Sequence, residues 1–202
     1  MNRESDEYRT VTGEATGIYK EKGSRFLAFA YNVTTPEEAK ERVREKQKEY
    51  HDARHHCYAW RLGPGDGETK VGDDGEPSGT AGRPILGQIL SAGLTNIVVV
   101  VVRYFGGIKL GTGGLIVAYK TATSDCLANA QIETRTFDVR LAVSFPYLAM
   151  NGVMKALKES SAKVESQSFD TSCLIKLSVR KAEHDQIVSR LTDIDGVTVE
   201  EE

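Results

Sequence analysis

Two glycine-rich segments hold the residues of this chain that could bind a ligand. Glycine segment 1 runs from Asp73 to Pro84 and glycine segment 2 from Arg103 to Gly114, and most of the 19 glycines lie between residues 54 and 120. Glycine costs backbone entropy on folding, so this density is expected where a chain turns sharply or approaches a ligand closely. From Pro77 to Ser124 there is no acidic residue. An acid-free, glycine-rich surface with scattered basic residues predicts an anion site, with phosphate as the expected anion.

The predicted phosphate-binding residues are the basic side chains of these segments and the glycines around them. A helix is predicted after glycine segment 2, with Thr112 as its N-cap, and its free N–H groups and dipole would attract an anion. The set comprises Arg83, Arg103, Lys109, Gly106, Gly107, Gly111, Thr112, Gly113 and Gly114. Close packing of a helix against a sheet is the alternative explanation of the glycines, because their spacing completes neither a P-loop nor a dinucleotide-binding motif.

A second set of polar residues is predicted to line the same cleft: His55, His56, Cys57, Asp73, Asp74 and Glu76. On a strand, His55 and Cys57 share one face and His56 points to the other. Their spacing matches no zinc motif, so we interpret the histidines as hydrogen-bonding to the nearby loop and Cys57 as a small buried residue. We predict no metal and no catalytic residue. Three alternatives stay open: a Cys57 nucleophile activated by His55, magnesium held by Asp74 or Glu76, and a metal site in which Asp73, Asp74 and Glu76 complete the His/Cys cluster.

Aromatic residues lie among these polar groups and could contribute to binding. Rings beside arginines can stack the bases of single-stranded RNA. Core packing is the ordinary role of each ring taken singly. The residues concerned are Tyr58, Trp60, Tyr104, Phe105 and Tyr119.

The elements that position these segments predict an α+β protein. Strands are predicted over 11–20 and 24–33, joined by a turn at Glu21-Lys22-Gly23, and over 56–62. Thr35 followed by Pro36 predicts the start of a helix to about Tyr50, with Glu38 closing a capping box. Residues 63–79 are predicted as a loop, and helices over 84–92 and 113–130. The uninterrupted valines within 96–104 predict a strand buried on both faces, at the centre of the sheet.

Beyond residue 131 the pattern changes. A strand is predicted over 134–145, a helix over 147–159, strands over 163–169 and 172–179, a helix over 182–192 and a last strand over 197–200. The order βαββαβ is ferredoxin-like. We therefore predict two domains, 1–133 and 134–202.

Composition and charge limit the classes of function. A net charge of −3 is typical of a soluble globular protein and not of an avid, non-specific nucleic-acid binder, so any RNA contact has to be local. The three widely spaced cysteines favour a reducing compartment. The chain begins without an apolar signal core, and its longest apolar run, Ile97 to Val102, is too short to span a bilayer. We predict a cytoplasmic protein with no cofactor and no membrane contact.

The sequence resembles the IMPACT family in its bacterial branch. The resemblance is carried by Ser24-Arg25-Phe26, by His55-His56-Cys57-Tyr58-Ala59, by glycine segment 1, and by Val101 to Tyr119 with its Arg-Tyr-Phe-Gly-Gly-Ile-Lys-Leu-Gly-Thr-Gly-Gly-Leu core. It is strong over residues 10–130, and the tail resembles the small ferredoxin-like domain of the bacterial members. Ile116 and Val117 stand where the family pattern has Val and Arg, which removes one candidate phosphate contact.

The resemblance implies both fold and function. The first domain should share the fold of the second domain of a small-subunit ribosomal protein and of domain IV of elongation factor G, and the tail that of domain V. Eukaryotic relatives regulate translation. We predict a non-catalytic protein that binds RNA, the ribosome or translation factors and regulates translation. The alternatives are a phosphate- or nucleotide-binding enzyme using Asp74 or Glu76, and a protein-interaction module that docks on the ferredoxin-like sheet.

Overall fold

The computed structural model describes residues 6–65, 67–169 and 172–202. Contacts within the chain divide it into two compact units. The first unit comprises Tyr8–Arg135, and the second comprises Thr136–Glu202 together with Asp6 and Glu7. The predicted boundary between residues 133 and 134 falls inside a strand, Ile132–Thr136. Each unit has a hydrophobic core of its own.

The first unit is built on an antiparallel sheet. In chain order its elements are β1 (Glu7–Val11), β2 (Glu14–Glu21), β3 (Ser24–Asn32), α1 (Pro36–Glu49), β4 (His55–Leu62), β5 (Glu68–Gly72), α2 (Gly82–Ser91), β6 (Ile97–Tyr104), α3 (Gly111–Ala128) and β7 (Ile132–Thr136). Five strands pair in the order β2-β3-β6-β4-β5, and β1 pairs with β7 in a separate two-stranded sheet.

Strand β6 lies at the centre of the five-stranded sheet, which confirms the prediction from its valines. All residues from Ile97 to Val102 are fully buried. Val99 and Val101 pack in the core that α2 and α3 cover, whereas Val98 and Val100 pack in the core that α1 covers. Helices on both faces leave no solvated side to this strand, so it has no reason to alternate apolar and polar residues.

The turn between β2 and β3 and the start of α1 confirm their sequence signals. Lys22 and Gly23 have φ of 46° and 79°, as a two-residue type I′ turn requires. At α1, Thr35 Oγ1 accepts a hydrogen bond from Glu38 N at 3.2 Å. The Glu38 carboxylate accepts from Thr34 N at 2.6 Å rather than from Thr35 N, so the capping box closes one residue earlier than usual.

Three other predictions about local structure are wrong. Strand β5 lies within the predicted loop 63–79, because pairing with β4 at the sheet edge outweighs its polar sequence. The predicted strand 134–145 is divided at Phe137 into two strands. Thr112 does not cap α3, since that helix begins at Gly111 after Leu110 and no side chain caps it.

The second unit has the predicted βαββαβ order. Its elements are β8 (Asp138–Phe145), α4 (Met150–Lys158), β9 (Lys163–Phe169), β10 (Cys173–Arg180), α5 (His184–Thr192) and β11 (Thr198–Glu201). The strands pair antiparallel in the order β11-β8-β10-β9. Alternate residues of β10 are buried, and its core includes Val153 of α4 and Ile187 of α5. None of the helices in the described ranges has the length and apolarity needed to cross a membrane.

Candidate functional site

The two glycine segments meet at one end of the five-stranded sheet. Glycine segment 1 follows β5 and leads into α2, and glycine segment 2 follows from the end of β6 and leads into α3. The segments touch where Arg103 Nη1 lies 2.6 Å from Glu76 Oε1. Helices α2 and α3 therefore both begin at this end, and the structure brings together the two sets of residues that the sequence singled out.

Arg103 belongs to a buried polar network, which argues against its predicted role as a phosphate contact. Only 6% of Arg103 is exposed. Its guanidinium pairs with the buried carboxylate of Glu76, and Glu76 Oε1 also accepts a hydrogen bond from Tyr119 Oη at 2.8 Å. The charge of Arg103 is thus neutralised inside the protein. A phosphate at the surface has no access to this guanidinium.

Cys57 joins the same network as a protonated thiol. Its Sγ donates to the carbonyl oxygen of Asp73 at 3.0 Å and lies 3.3 Å from Tyr119 Oη. Burial raises the pKa of the Cys57 thiol, and burial likewise raises the pKa of the Tyr119 hydroxyl. A nucleophilic cysteine needs a lowered pKa and access to solvent. The geometry therefore favours the structural interpretation of Cys57 over the nucleophile.

Asp73 holds glycine segment 1 in place. Its Oδ1 accepts hydrogen bonds from Ala81 N at 3.1 Å and Gly82 N at 2.8 Å, and its Oδ2 accepts one from Gly79 N at 2.8 Å. Burial by itself raises the pKa of this carboxyl, but the three N–H donors and the nearby positive charge of Arg83 outweigh it and lower the pKa. Asp73 therefore stabilises the start of α2 as an anion.

Asp74 fixes the two histidines. It has a positive φ of 41°, a conformation that Asp adopts more readily than most residues. His56 N donates to Asp74 Oδ2 at 2.6 Å, and His55 Nδ1 lies 2.7 Å from the carbonyl oxygen of Asp74. On the other side of the sheet, His56 Nε2 lies 3.0 Å from the Tyr50 carbonyl oxygen. The His55 ring thus bonds to the loop, as the sequence interpretation proposed, whereas the His56 ring bonds to the backbone at the end of α1.

The carboxylates of glycine segment 1 are engaged with protein donors. Asp73 accepts three N–H groups, and Glu76 is paired with Arg103. Within the described ranges, His, Cys, Asp and Glu side chains form no group of three that could hold a metal ion. The magnesium alternative needed Asp74 or Glu76 as a free ligand. Glu76 is not free, because it is paired with Arg103.

The outer part of glycine segment 2 is exposed. Lys109, Thr112 and Gly113 are all on the surface. Gly107 and Gly111 have φ of 89° and 72°, and a Cβ added at Gly107, Gly111 or Gly113 would meet no atom within 4 Å. Positive φ accounts for the first two glycines. Neither backbone φ nor packing requires a glycine at position 113. The absence of a side chain there leaves the backbone at the start of α3 open to close approach by a ligand.

The turn between β2 and β3 adds basic residues to this surface that the sequence analysis missed. A Cβ on Gly106 would lie 1.9 Å from the carbonyl carbon of Gly23, so the two backbones are in direct contact. Gly106 N also donates to Ser24 Oγ at 3.1 Å. Lys22 and Arg25, which flank this contact, are exposed. The sequence signal for these residues was the family resemblance at Ser24-Arg25-Phe26. Because that stretch is far in sequence from glycine segment 2, it did not indicate that the two lie together.

Replacing Asp73 by Asn should destabilise the first unit in a pH-dependent way. Because its pKa is lowered on folding, its stabilising effect is present above its ordinary pKa and is lost as the pH falls through the lowered value. We expect Asp73→Asn to lower the free energy of unfolding by about 1–3 kcal/mol at neutral pH. This difference should shrink below about pH 4.

Urea unfolding followed by the fluorescence of Trp60 measures this effect, because Trp60 is the single tryptophan and is buried in β4. Glu68→Gln, at an exposed position of β5, is the control. An Asp73→Asn cost that is the same at every pH would contradict the assignment.

Comparisons with known proteins place the chain among relatives of the same size. The family model of the Impact N-terminal domain matches residues 22–127. The IMPACT family member YigZ of Escherichia coli (strain K12) is 34% identical over 180 residues, which cover 88% of each chain. The IMPACT family member YvyE of Bacillus subtilis (strain 168) is 33% identical over 171 residues, covering 85% of this chain and 79% of the relative.

A solved structure supports the whole two-unit fold. A crystal structure of a hypothetical protein superposes with a TM-score of 0.74 at 31% identity, and the match covers 96% of both chains. The likeness therefore extends beyond the residues that the family model matches, through the second unit.

Proposed function

Because the chain belongs to the IMPACT family and is similar to bacterial members of it, we propose that it is a non-catalytic cytoplasmic protein that binds RNA of the translation machinery. The proposed binding surface is the exposed part of glycine segment 2, with Lys109 as its phosphate contact. The link to translation comes from the family resemblance and from the expected likeness to domains IV and V of elongation factor G, which remains a prediction.

The observation that carries this proposal is the exposed, acid-free backbone around Lys109. Lys109 is on the surface, and the sequence from Pro77 to Ser124 supplies no carboxylate to neutralise it. The open backbone at Gly113 offers N–H groups beside that charge. Phosphate contacts of this kind supply affinity without reading sequence. The chain as a whole has a net charge of −3, so we expect a local contact with weak non-specific binding.

The basic turn between β2 and β3 extends the same surface. Lys22 is exposed and lies beside the contact of Gly23 with Gly106, whereas the Arg25 guanidinium lies 4.9 Å from the centroid of the Tyr104 ring. Arg83 is exposed at the start of α2, although Asp73 lies near it. These exposed basic residues would contact a phosphate backbone that continues past Lys109. Arg103 would not contact it, because Arg103 is buried and paired with Glu76.

Co-sedimentation with ribosomes and with ribosomal RNA across a salt series tests the proposal. We expect binding that weakens with salt, and we expect Lys109→Gln to weaken it and to reduce the slope of log K against log salt by about 0.7–1, the change expected for one phosphate contact. Lys48→Gln removes an exposed lysine from α1, on the opposite face of the sheet, and should leave affinity and slope unchanged.

Other outcomes decide between the competing functions. Binding that Lys109→Gln and Lys48→Gln reduce equally would show that glycine segment 2 is not the contact surface. Retention of a protein partner after nuclease treatment, with no affinity for ribosomal RNA, would replace the proposal with a protein-interaction module. The nucleotide-binding enzyme, which would use Asp74 or Glu76, is not proposed, because Glu76 is paired with Arg103 and Asp74 Oδ2 accepts a hydrogen bond from His56 N.

A further inference from the structure

We infer that Phe105 is a stacking platform for an unpaired base, so that the RNA bound by glycine segment 2 is single-stranded at this point. This inference rests on the proposed function and specifies its ligand.

Phe105 is the ring left accessible among the five aromatic residues that the sequence placed near the glycine segments. Trp60 and Tyr119 are buried in the cores. Tyr58 lies parallel to Trp60 with ring centroids 5.4 Å apart. Tyr104 donates its hydroxyl to Asp52 at 2.6 Å. Phe105, in contrast, is 49% exposed although a phenyl ring gains by burial.

The backbone of Phe105 is held on both sides in the chain. Tyr104, the residue before it, is the last residue of the central strand β6. Gly106, the residue after it, contacts the backbone of Gly23 and hydrogen-bonds to Ser24. The Arg103 guanidinium lies over the ring with 5.6 Å between its carbon and the ring centroid. The ring therefore stands on an ordered backbone and contacts a buried guanidinium, which lowers the entropy cost of ordering it on binding.

The surroundings of Phe105 match a nucleotide better than an apolar ligand alone. Lys109 lies four residues further along the same segment, and this segment contains no acidic residue. An aromatic ring beside a cation and open backbone N–H groups is the combination that holds single-stranded nucleic acid, with bases on the ring and phosphates on the charge. In a duplex the faces of the bases are stacked on one another, so Phe105 would have nothing to stack.

Affinity for a single-stranded and a paired form of one RNA tests this inference. The probe is an oligouridylate of about ten nucleotides, within the usual site size, alone and annealed to oligoadenylate. We expect the wild-type protein to prefer the single strand. We expect Phe105→Leu to weaken single-strand binding about tenfold and to leave duplex binding and the salt slope unchanged, because a neutral ring contributes stacking and no counterion release.

A spectroscopic readout and a matched control distinguish the loss of stacking from a general effect of removing an exposed aromatic ring. Quenching of a 2-aminopurine placed in the oligonucleotide should occur with the wild type and disappear with Phe105→Leu. Phe169→Leu removes a ring that is 46% exposed in the second unit. This control should change neither the quenching nor the affinity for the single strand. Single-strand binding that Phe105→Leu leaves unchanged would overturn the inference while the proposed function stands. Failure of the wild type to bind either RNA or ribosomes would overturn the proposed function itself.

Discussion

Glu76→Gln should lower the free energy of unfolding of the first unit by about 3–5 kcal/mol, because it leaves a buried guanidinium without a countercharge. Arg103 and Glu76 are both buried, and their side chains are 7% and 3% exposed. The neutral amide can still accept from Tyr119, so the packing of the network is largely kept. Urea unfolding followed by Trp60 fluorescence reports this unit, since Trp60 lies in β4 beside β6.

The companion variant Arg103→Met tests whether the cost comes from the unpaired charge. In the double variant, Glu76→Gln with Arg103→Met, no charge remains buried, and we expect most of the stability to return because well-packed apolar replacements of buried ion pairs are often neutral. The exposed pair of Arg42 and Glu45, at 2.8 Å on α1, provides the control. Glu45→Gln should cost less than about 0.5 kcal/mol. If the double variant lost as much stability as the two single variants together, the explanation by an unpaired buried charge would be contradicted.

The same double variant separates the fold from the binding surface. Arg103 is buried and already paired, so the proposed RNA contact does not include its charge. We expect the folded double variant to keep the slope of log K against log salt for ribosomal RNA, because that slope counts phosphate contacts and not the contact of Arg103 with the Phe105 ring. A smaller slope in a variant of normal stability would return Arg103 to the phosphate-binding set that the sequence predicted.

Features of the fold that depend on neighbouring residues in the chain could be predicted from the sequence. The apolar run of β6 required burial on both faces and therefore a central position. Thr35 and Pro36 marked the start of α1, and Lys22-Gly23 marked a tight turn. The glycine segments were identified as one region because their composition differs from the rest of the chain. Each of these signals acts over a few residues, where side-chain chemistry determines backbone conformation directly.

Features that depend on contacts distant in sequence could not be predicted. Arg103 was assigned to phosphate because the residues around it carry no acid, yet its partner, Glu76, lies 27 residues away. The polar residues of β5 gave no strand signal, and their pairing with β4 decides their conformation. Thr112 had the side chain of an N-cap, but α3 begins one residue before it, at Gly111, and no side chain caps it. The type of a residue shows which interactions it can make. Its actual partner depends on tertiary contacts, which the local sequence does not contain.

Gly106→Ala should be strongly destabilising, whereas Gly113→Ala should be stabilising, although both glycines belong to glycine segment 2. A Cβ at position 106 would lie 1.9 Å from Gly23 C and 2.2 Å from Ser24 N, and backbone atoms of this hairpin cannot move aside without disturbing β3. We expect a cost of about 3 kcal/mol or more. A Cβ at position 113 would meet nothing within 4 Å, and alanine at a helical position is more favourable than glycine by about 0.5–1 kcal/mol.

Gly113→Ala then becomes a test of the binding surface that a loss of folding cannot mimic. If a phosphate approaches the backbone of α3 at this point, the added methyl group blocks it, and affinity for ribosomal RNA should fall by about 1 kcal/mol or more while the free energy of unfolding rises. Trp60-monitored unfolding and the co-sedimentation series measure the two quantities on the same sample. A Gly113→Ala protein that is more stable and binds as the wild type does would show that RNA does not approach α3 there, and Lys109 would then act through its side chain alone.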